Sequence, residues 1–295
     1  LCPAQTSIPN SVSLPNWLCI PGPSNRMPGQ YGGFLGPICN PFLVEGDPNR
    51  KDYNPLSLTL GSETGLARLQ GRQSLLKHLD QTARWLDRDK IQESSRLYQS
   101  AYELVTDGRI RAALRLNDVQ GDERDRYGRN RLGQAILLAK RLSQAGVPWV
   151  GYNEFNQKWD THGGLKGRYE SIVPPLDQAF TSLVSDLERD GTLEDTIVVL
   201  AGEFGRTPRI NKDAGRDHWP QAQSILIAGG GYPGGQMIGT TDAKAERPTS
   251  RPVAPADFNA IIYKSLGLNP NDTIQDNSGR PVHLVQGGTV PRELV

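Results

Sequence analysis

The stretch WDTHGG sets Asp160 and His162 two residues apart, and GEFGRTPRINKDAGRDHWP adds Glu203, Arg206, Arg209, Asp217 and His218. In an extended segment, residues two apart point to the same side. The Asp160 carboxylate and the His162 imidazole can therefore grip one ion between them. Glu203, one glycine after the apolar run TIVVLA, offers a hard oxygen ligand; Asp217 offers another, and His218 a second imidazole. Mixed carboxylate and imidazole donors suit zinc or manganese first and iron next, with calcium or magnesium less suited because of the imidazoles. Such an ion polarises a phosphoryl or sulfuryl oxygen, and Arg206 or Arg209 can clamp an anionic ester with paired hydrogen bonds.

Plainer readings compete with this one. D-x-H is a weak pattern, Arg216 and Asp217 can form a local ion pair, Glu203 can simply neutralise Arg206, and Trp219-Pro220 reads as a packing corner. What favours a site is that two of only four histidines neighbour acids in these loops. His78, on a helical stretch, and His283, in the alternating run RPVHLV, read as structural.

The elements that must position these residues divide into three regions. Residues 1–61 are rich in Pro, Gly and Asn, which favours extended and turn structure, with GQYGGFLGPICNPF an ordered loop packing a few aromatics. Residues 62–145 form a helical block. Leu66, Leu69, Leu76, Leu79, Ala83 and Leu86 make one stripe, and a second helix runs from Ile91 to Val105. Asp107 caps a short helix over 108–115, and another covers about 128–145, stopped by Gly146.

Residues 146–295 then read as an α/β core: a short strand in VPWVGYN, a helix over about 165–190 kinked at Pro174-Pro175, buried strands in TIVVLAG and SILIAGG, and a helix in APADFNAIIYKSLG. Strand, long helix, strand predicts a right-handed crossover in a mostly parallel sheet flanked by helices. Ligands of such sheets collect beyond the carboxyl ends of the strands, where WDTHGG and GEFGRTPR fall.

With 295 residues the chain can bury a substantial core, as one domain or a domain with a subdomain. Lys and Arg number 33 against 32 Asp and Glu, so no global field favours nucleic acid or an anionic membrane, and no apolar run reaches the ~20 residues of a membrane span. Cys2, Cys19 and Cys39 fit no zinc pattern; they read as three unrelated thiols, with one disulfide the most that can form. Three common catalytic signatures are absent: G-x-S-x-G, the phosphate-binding G-x-x-x-x-G-K-[ST] loop and H-E-x-x-H.

FLGPICNPFLVEGDPN, WDTHGG, GEFGRTPRINKDAGRDHWP and the closing RPVAPADFNAIIYKSLGL…GRPVHLV together resemble a large bacterial family catalogued as domain of unknown function fifteen-oh-one, often labelled sulfatase-like. That family is placed in the alkaline phosphatase-like superfamily of phosphatases, sulfatases and cofactor-independent phosphoglycerate mutases. The resemblance implies a sulfatase-like α/β fold with a one- or two-metal site, in which Asp160, His162, Glu203 and His218 stand at ligand positions. It implies a hydrolase of phosphate or sulfate esters, acting on a small anionic ester or a sulfated or phosphorylated glycan, in a periplasmic or extracellular setting. It also implies that the superfamily's first-strand Asp and its nucleophile lie upstream of Leu1. Phe204 stands where relatives have a histidine. The alternatives are an inactive member that binds anionic glycans or a protein partner, and a charged loop cluster with a purely structural role.

Overall fold

The computed structural model describes residues 9–14, 30–36, 39–55, 68, 71–72, 74–75, 107–154, 158–276 and 278–294. The chain divides into two compact units, Leu1–Phe155 and Asn156–Val295. The apolar stripe from Leu66 to Leu86 and the helix expected at Ile91–Val105 lie outside the described residues. Of that block, Arg68, Gly71–Arg72 and Ser74–Leu75 are helical.

The first unit is organised by strand β1, Val12–Leu14, which lies between β2 (Phe42–Leu43) and β3 (Val150–Tyr152) in a parallel three-stranded sheet. Val12 and Leu14 are each 1 % exposed, and Ser13 is buried too, as expected of a central strand covered on both faces. The Pro/Gly-rich segment thus supplies the middle of the sheet. Its loop aromatics behave otherwise than expected: Tyr31 and Phe34, beside the short turn Gly33–Leu35, stay exposed. Cys39 is disulfide-bonded, which corrects the reading of three unrelated thiols.

Asp107 caps helix α1, Gly108–Leu114, its carboxylate accepting from the backbone N–H of Arg109 and Ile110. Helix α2, Gly121–Arg126, precedes α3, Arg131–Gln144, which Asn130 caps through the Gly133 N–H. The α3 face carrying Leu137, Leu138 and Leu142 is fully buried. Gly133 is needed there because a Cβ would lie 1.9 Å from the Tyr127 carbonyl oxygen. Buried Gln134 accepts from the Arg124 guanidinium (2.6 Å) and donates to the carbonyls of Arg124 and Gly128, so its buried amide is paired at both ends.

In the second unit, helix α4, Leu165–Arg189, runs continuously through Pro174 and Pro175. The strands after it require a correction. β4 (Ile197–Leu200) and β7 (Leu226–Gly229) pair antiparallel, with Leu200 opposite Leu226, while β3 pairs with β1. The expected parallel crossover does not form among the described residues, and β4 is half-buried rather than buried. The physical reason lies in the intervening chain. It folds back through a smaller antiparallel ribbon, β5 (Gly205–Arg206) against β6 (His218–Trp219), and antiparallel partners need no crossover helix. The fold is therefore mixed α/β with one parallel sheet and several small antiparallel ones: two hairpins, β8 (Thr240–Thr241) with β9 (Pro248–Ser250) and β10 (Thr273–Gln275) with β11 (Pro281–His283), follow the ribbon. Helix α5, Pro255–Ser265, lies between them. No helix among the described residues is long and apolar enough to cross a membrane.

Candidate metal centre

Two loops of the second unit carry the centre. In the first, Thr161 turns inward, 3 % exposed, and its neighbours Asp160 and His162 face the other way. In the second, the β5–β6 ribbon sets Arg206 opposite His218. Four hydrogen bonds lash the loops together: Arg216 N–H to the Thr161 carbonyl (2.9 Å), Gly164 N–H to Asp213 (3.0 Å), Leu165 N–H to Ala214 (2.8 Å), and the Asn211 side-chain amide to the His162 carbonyl (2.9 Å). Gly215 lies against the first loop so closely that a Cβ would come within 2.1 Å of the His162 carbonyl group.

Three donor atoms converge as a result. Asp160 Oδ1 lies 3.0 Å from His162 Nε2 and 3.0 Å from His218 Nε2, and the two imidazole nitrogens are 3.3 Å apart. In a tetrahedral zinc site with bonds of 2.0–2.1 Å, adjacent nitrogen donors stand about 3.3 Å apart. The triangle thus has the size of one face of a coordination tetrahedron, and its chemistry, two imidazoles and a carboxylate, is that of zinc and its neighbours. The side chains of His162 and His218 are about half exposed and that of Asp160 is 25 % exposed, so the outer side of the triangle faces solvent.

Supporting contacts fix the donors. Asp217 Oδ1 lies 2.7 Å from His162 Nδ1. A carboxylate only accepts, so Nδ1 donates its N–H to Asp217, and the metal-binding form of the ring is the one in which Nε2, facing Asp160 and His218, has given up its proton. The His218 ring lies against Phe204, centroids 4.5 Å apart. The Arg206 guanidinium donates to Asp160 Oδ1 at 2.5 Å. Burial opposes ionisation of Asp160, but hydrogen bonds from Arg206 and His218, with the charges of Arg206 and His162, outweigh it and hold the carboxyl below its ordinary range. Asp217 is depressed as well, first by the hydrogen bond to His162 and then by that from Asn211.

Of the residues picked out in the sequence, Asp160, His162 and His218 meet, Asp217 backs His162, and Arg206 backs Asp160. Glu203 is exposed on the loop after β4 and takes no part in the triangle. Arg209 is exposed too, and its carbonyl accepts from the Thr207 hydroxyl. Arg216 pairs with the carbonyls of Thr207 and Pro208 rather than with Asp217. Trp219 donates its indole N–H to the Glu246 carbonyl at 2.8 Å, as befits a packing corner. Sequence reasoning missed Asn211 and Gly215. The run N-K-D-A-G has the composition of a side-chain-closed turn, but nothing local says that the turn braces a histidine some fifty residues earlier in the chain.

Over residues 2–295 the chain matches the family described as Protein of unknown function (DUF1501), and it belongs to that family. No curated protein and no solved structure matches it.

Proposed function

We propose that this family member is a metal-dependent hydrolase of phosphate or sulfate esters, sulfatase-like in its relationships, with one divalent ion, zinc or manganese first, held by Asp160, His162 and His218. The observation that carries the reading is the triangle of Asp160 Oδ1, His162 Nε2 and His218 Nε2 with sides of 3.0–3.3 Å, open to solvent on one side. Three protein donors with a free position is the pattern of catalytic rather than structural zinc sites. The bound ion would supply Lewis acidity towards an ester oxygen.

The chain's own residues do the rest. Asp217 keeps His162 in the tautomer that presents Nε2. Arg206 spends one N–H on Asp160, and its remaining N–H groups suit a neighbouring anionic ester oxygen. Exposed Arg209 brings a second positive charge to the same loop. The test is zinc and manganese binding by equilibrium dialysis, followed by assay of the metal-loaded protein on aryl phosphates and aryl sulfates. Metal-dependent release of the phenol supports the reading. Tight binding of sulfated or phosphorylated glycan without turnover would point to a non-catalytic binder, and absence of metal binding would sink the proposal.

A further inference from the structure

Every polar group of Asn211 is committed. Its Nδ2 donates to the His162 carbonyl (2.9 Å) and to Asp217 Oδ1 (3.2 Å). Its Oδ1 accepts from the backbone N–H of Asp213 (3.0 Å) and of Gly215 (2.9 Å). Its own backbone N–H donates to the Gly215 carbonyl, and its carbonyl accepts from Ala214, which sits at φ 56°. A primary amide has two donor hydrogens and one oxygen with two lone pairs; here all four places are filled.

Two of those bonds converge on one histidine from opposite ends. The amide holds the main chain of His162 directly, and it holds the Asp217 carboxylate that orients the His162 ring. We infer that Asn211 is a positioning residue of the metal centre, fixing both the place and the tautomer of His162 through one side-chain amide. The inference rests on the metal reading above and adds the group that sets its affinity.

Asn211→Asp is the informative change because it keeps shape and both acceptors. It replaces the donating NH₂ by an oxygen facing the His162 carbonyl and the Asp217 carboxylate, so two attractions become repulsions. Loss of such outer contacts weakens metal binding by about 10–100-fold. Zinc dissociation constants of the wild type, N211D, N211A and H162A are to be measured by competition with a chromophoric chelator, alongside melting temperature. Long-range ¹H–¹⁵N spectra of the metal-free proteins report the His162 tautomer. The expected result is binding about 10–100-fold weaker in both Asn211 variants, with the Nδ1–H form of His162 eroded. A brace serving only loop stability would lower the melting temperature and leave affinity and tautomer unchanged, which would overturn the inference. If wild type and H162A alike bind no zinc, the metal reading itself falls, and this inference with it.

Discussion

Replacing Gly215 by Ala tests whether the two loops really meet as described. A Cβ at 215 would lie 2.1 Å from the His162 carbonyl carbon and oxygen and 2.4 Å from Gly163 N, all backbone atoms that cannot swing aside. Ordinary contact begins near 3.4 Å, so the loops must part by about 1.3 Å, the difference between 3.4 and 2.1. The four hydrogen bonds from Asn211, Gly164, Leu165 and Arg216, now 2.8–3.0 Å, would stretch to about 4.2 Å, beyond hydrogen-bonding range. At about 0.5–1.5 kcal/mol each in full, and less where water replaces the partner, their loss costs ~2 kcal/mol. The effect on metal is larger. Zinc with bonds near 2.1 Å spans two donors at most about 4.2 Å apart, and a shift of about 1.3 Å carries His162 Nε2, now 3.3 Å from His218 Nε2, to that limit or past it. Zinc affinity should fall by about 100-fold, the upper end for loss of donor positioning, measured by chelator competition beside thermal unfolding by circular dichroism. Gly167→Ala is the matched control, since a Cβ there meets nothing within 4 Å on helix α4. It should raise stability by about 0.5–1 kcal/mol and leave zinc binding alone. A G215A protein that binds zinc within threefold of wild type would show that the two loops do not meet in this way.

Other predictions follow from single contacts. Asp217→Ala should weaken zinc binding about 10–100-fold with little change in melting temperature, because Asp217 is half exposed. Asp217→Asn, whose amide oxygen can still accept from His162 and Asn211, should lose less; chelator competition separates the two. Arg206→Gln removes a contact that fixes Asp160, so it should weaken zinc binding about 10-fold. On protein kept saturated with metal it should also raise KM for an aryl phosphate; chelator competition and steady-state kinetics would show the two effects. Away from the centre, Asp257 accepts from the backbone N–H groups of Thr289 and Ala254 and from the Thr289 hydroxyl. Asp257→Ala should cost about 1–3 kcal/mol in urea unfolding. The Thr289 N–H first, then that of Ala254, depress the Asp257 carboxyl against the opposing effect of burial. A depressed folded value means stability that is fully present above the unfolded pKa and is lost as pH falls through the folded one. Acid unfolding below about pH 4 should therefore be shallower in Asp257→Asn than in wild type.

How much of this was legible in the sequence depended on how local the cause was. Asp107 ahead of an apolar turn marks a helix start by one side chain, and the structure caps there. Asp160 and His162 were legible because alternation acts over two residues, with Thr161 turned into the interior between them. That Val12–Leu14 forms the middle of a parallel sheet was not legible, since its partners are supplied by Phe42–Leu43 and by Val150–Tyr152, far along the chain. Nor was the antiparallel pairing of β4 with β7. TIVVLA and SILIAGG are apolar runs suited to either direction, and the choice was made by the 205–219 ribbon between them. The rule for parallel sheets pointed to the Asp160 and Arg206 loops, although the strands there run antiparallel. The first of these loops leads into helix α4 and the second follows β5. Glu203 drew attention by position alone, while Asn211, an unremarkable loop residue in sequence, binds both ends of His162.

Whether Asp160, His162 and His218 hold a metal is decided by elemental analysis after loading and desalting, for wild type beside His162→Ala and His218→Ala. Wild type should hold zinc or manganese near one equivalent and both variants should lose it, because each removes one corner of a triangle with sides of 3.0–3.3 Å. Wild type without bound metal, or variants that keep it, would rule out a metal at this triangle and leave the cluster as an ion-pair network that braces two loops.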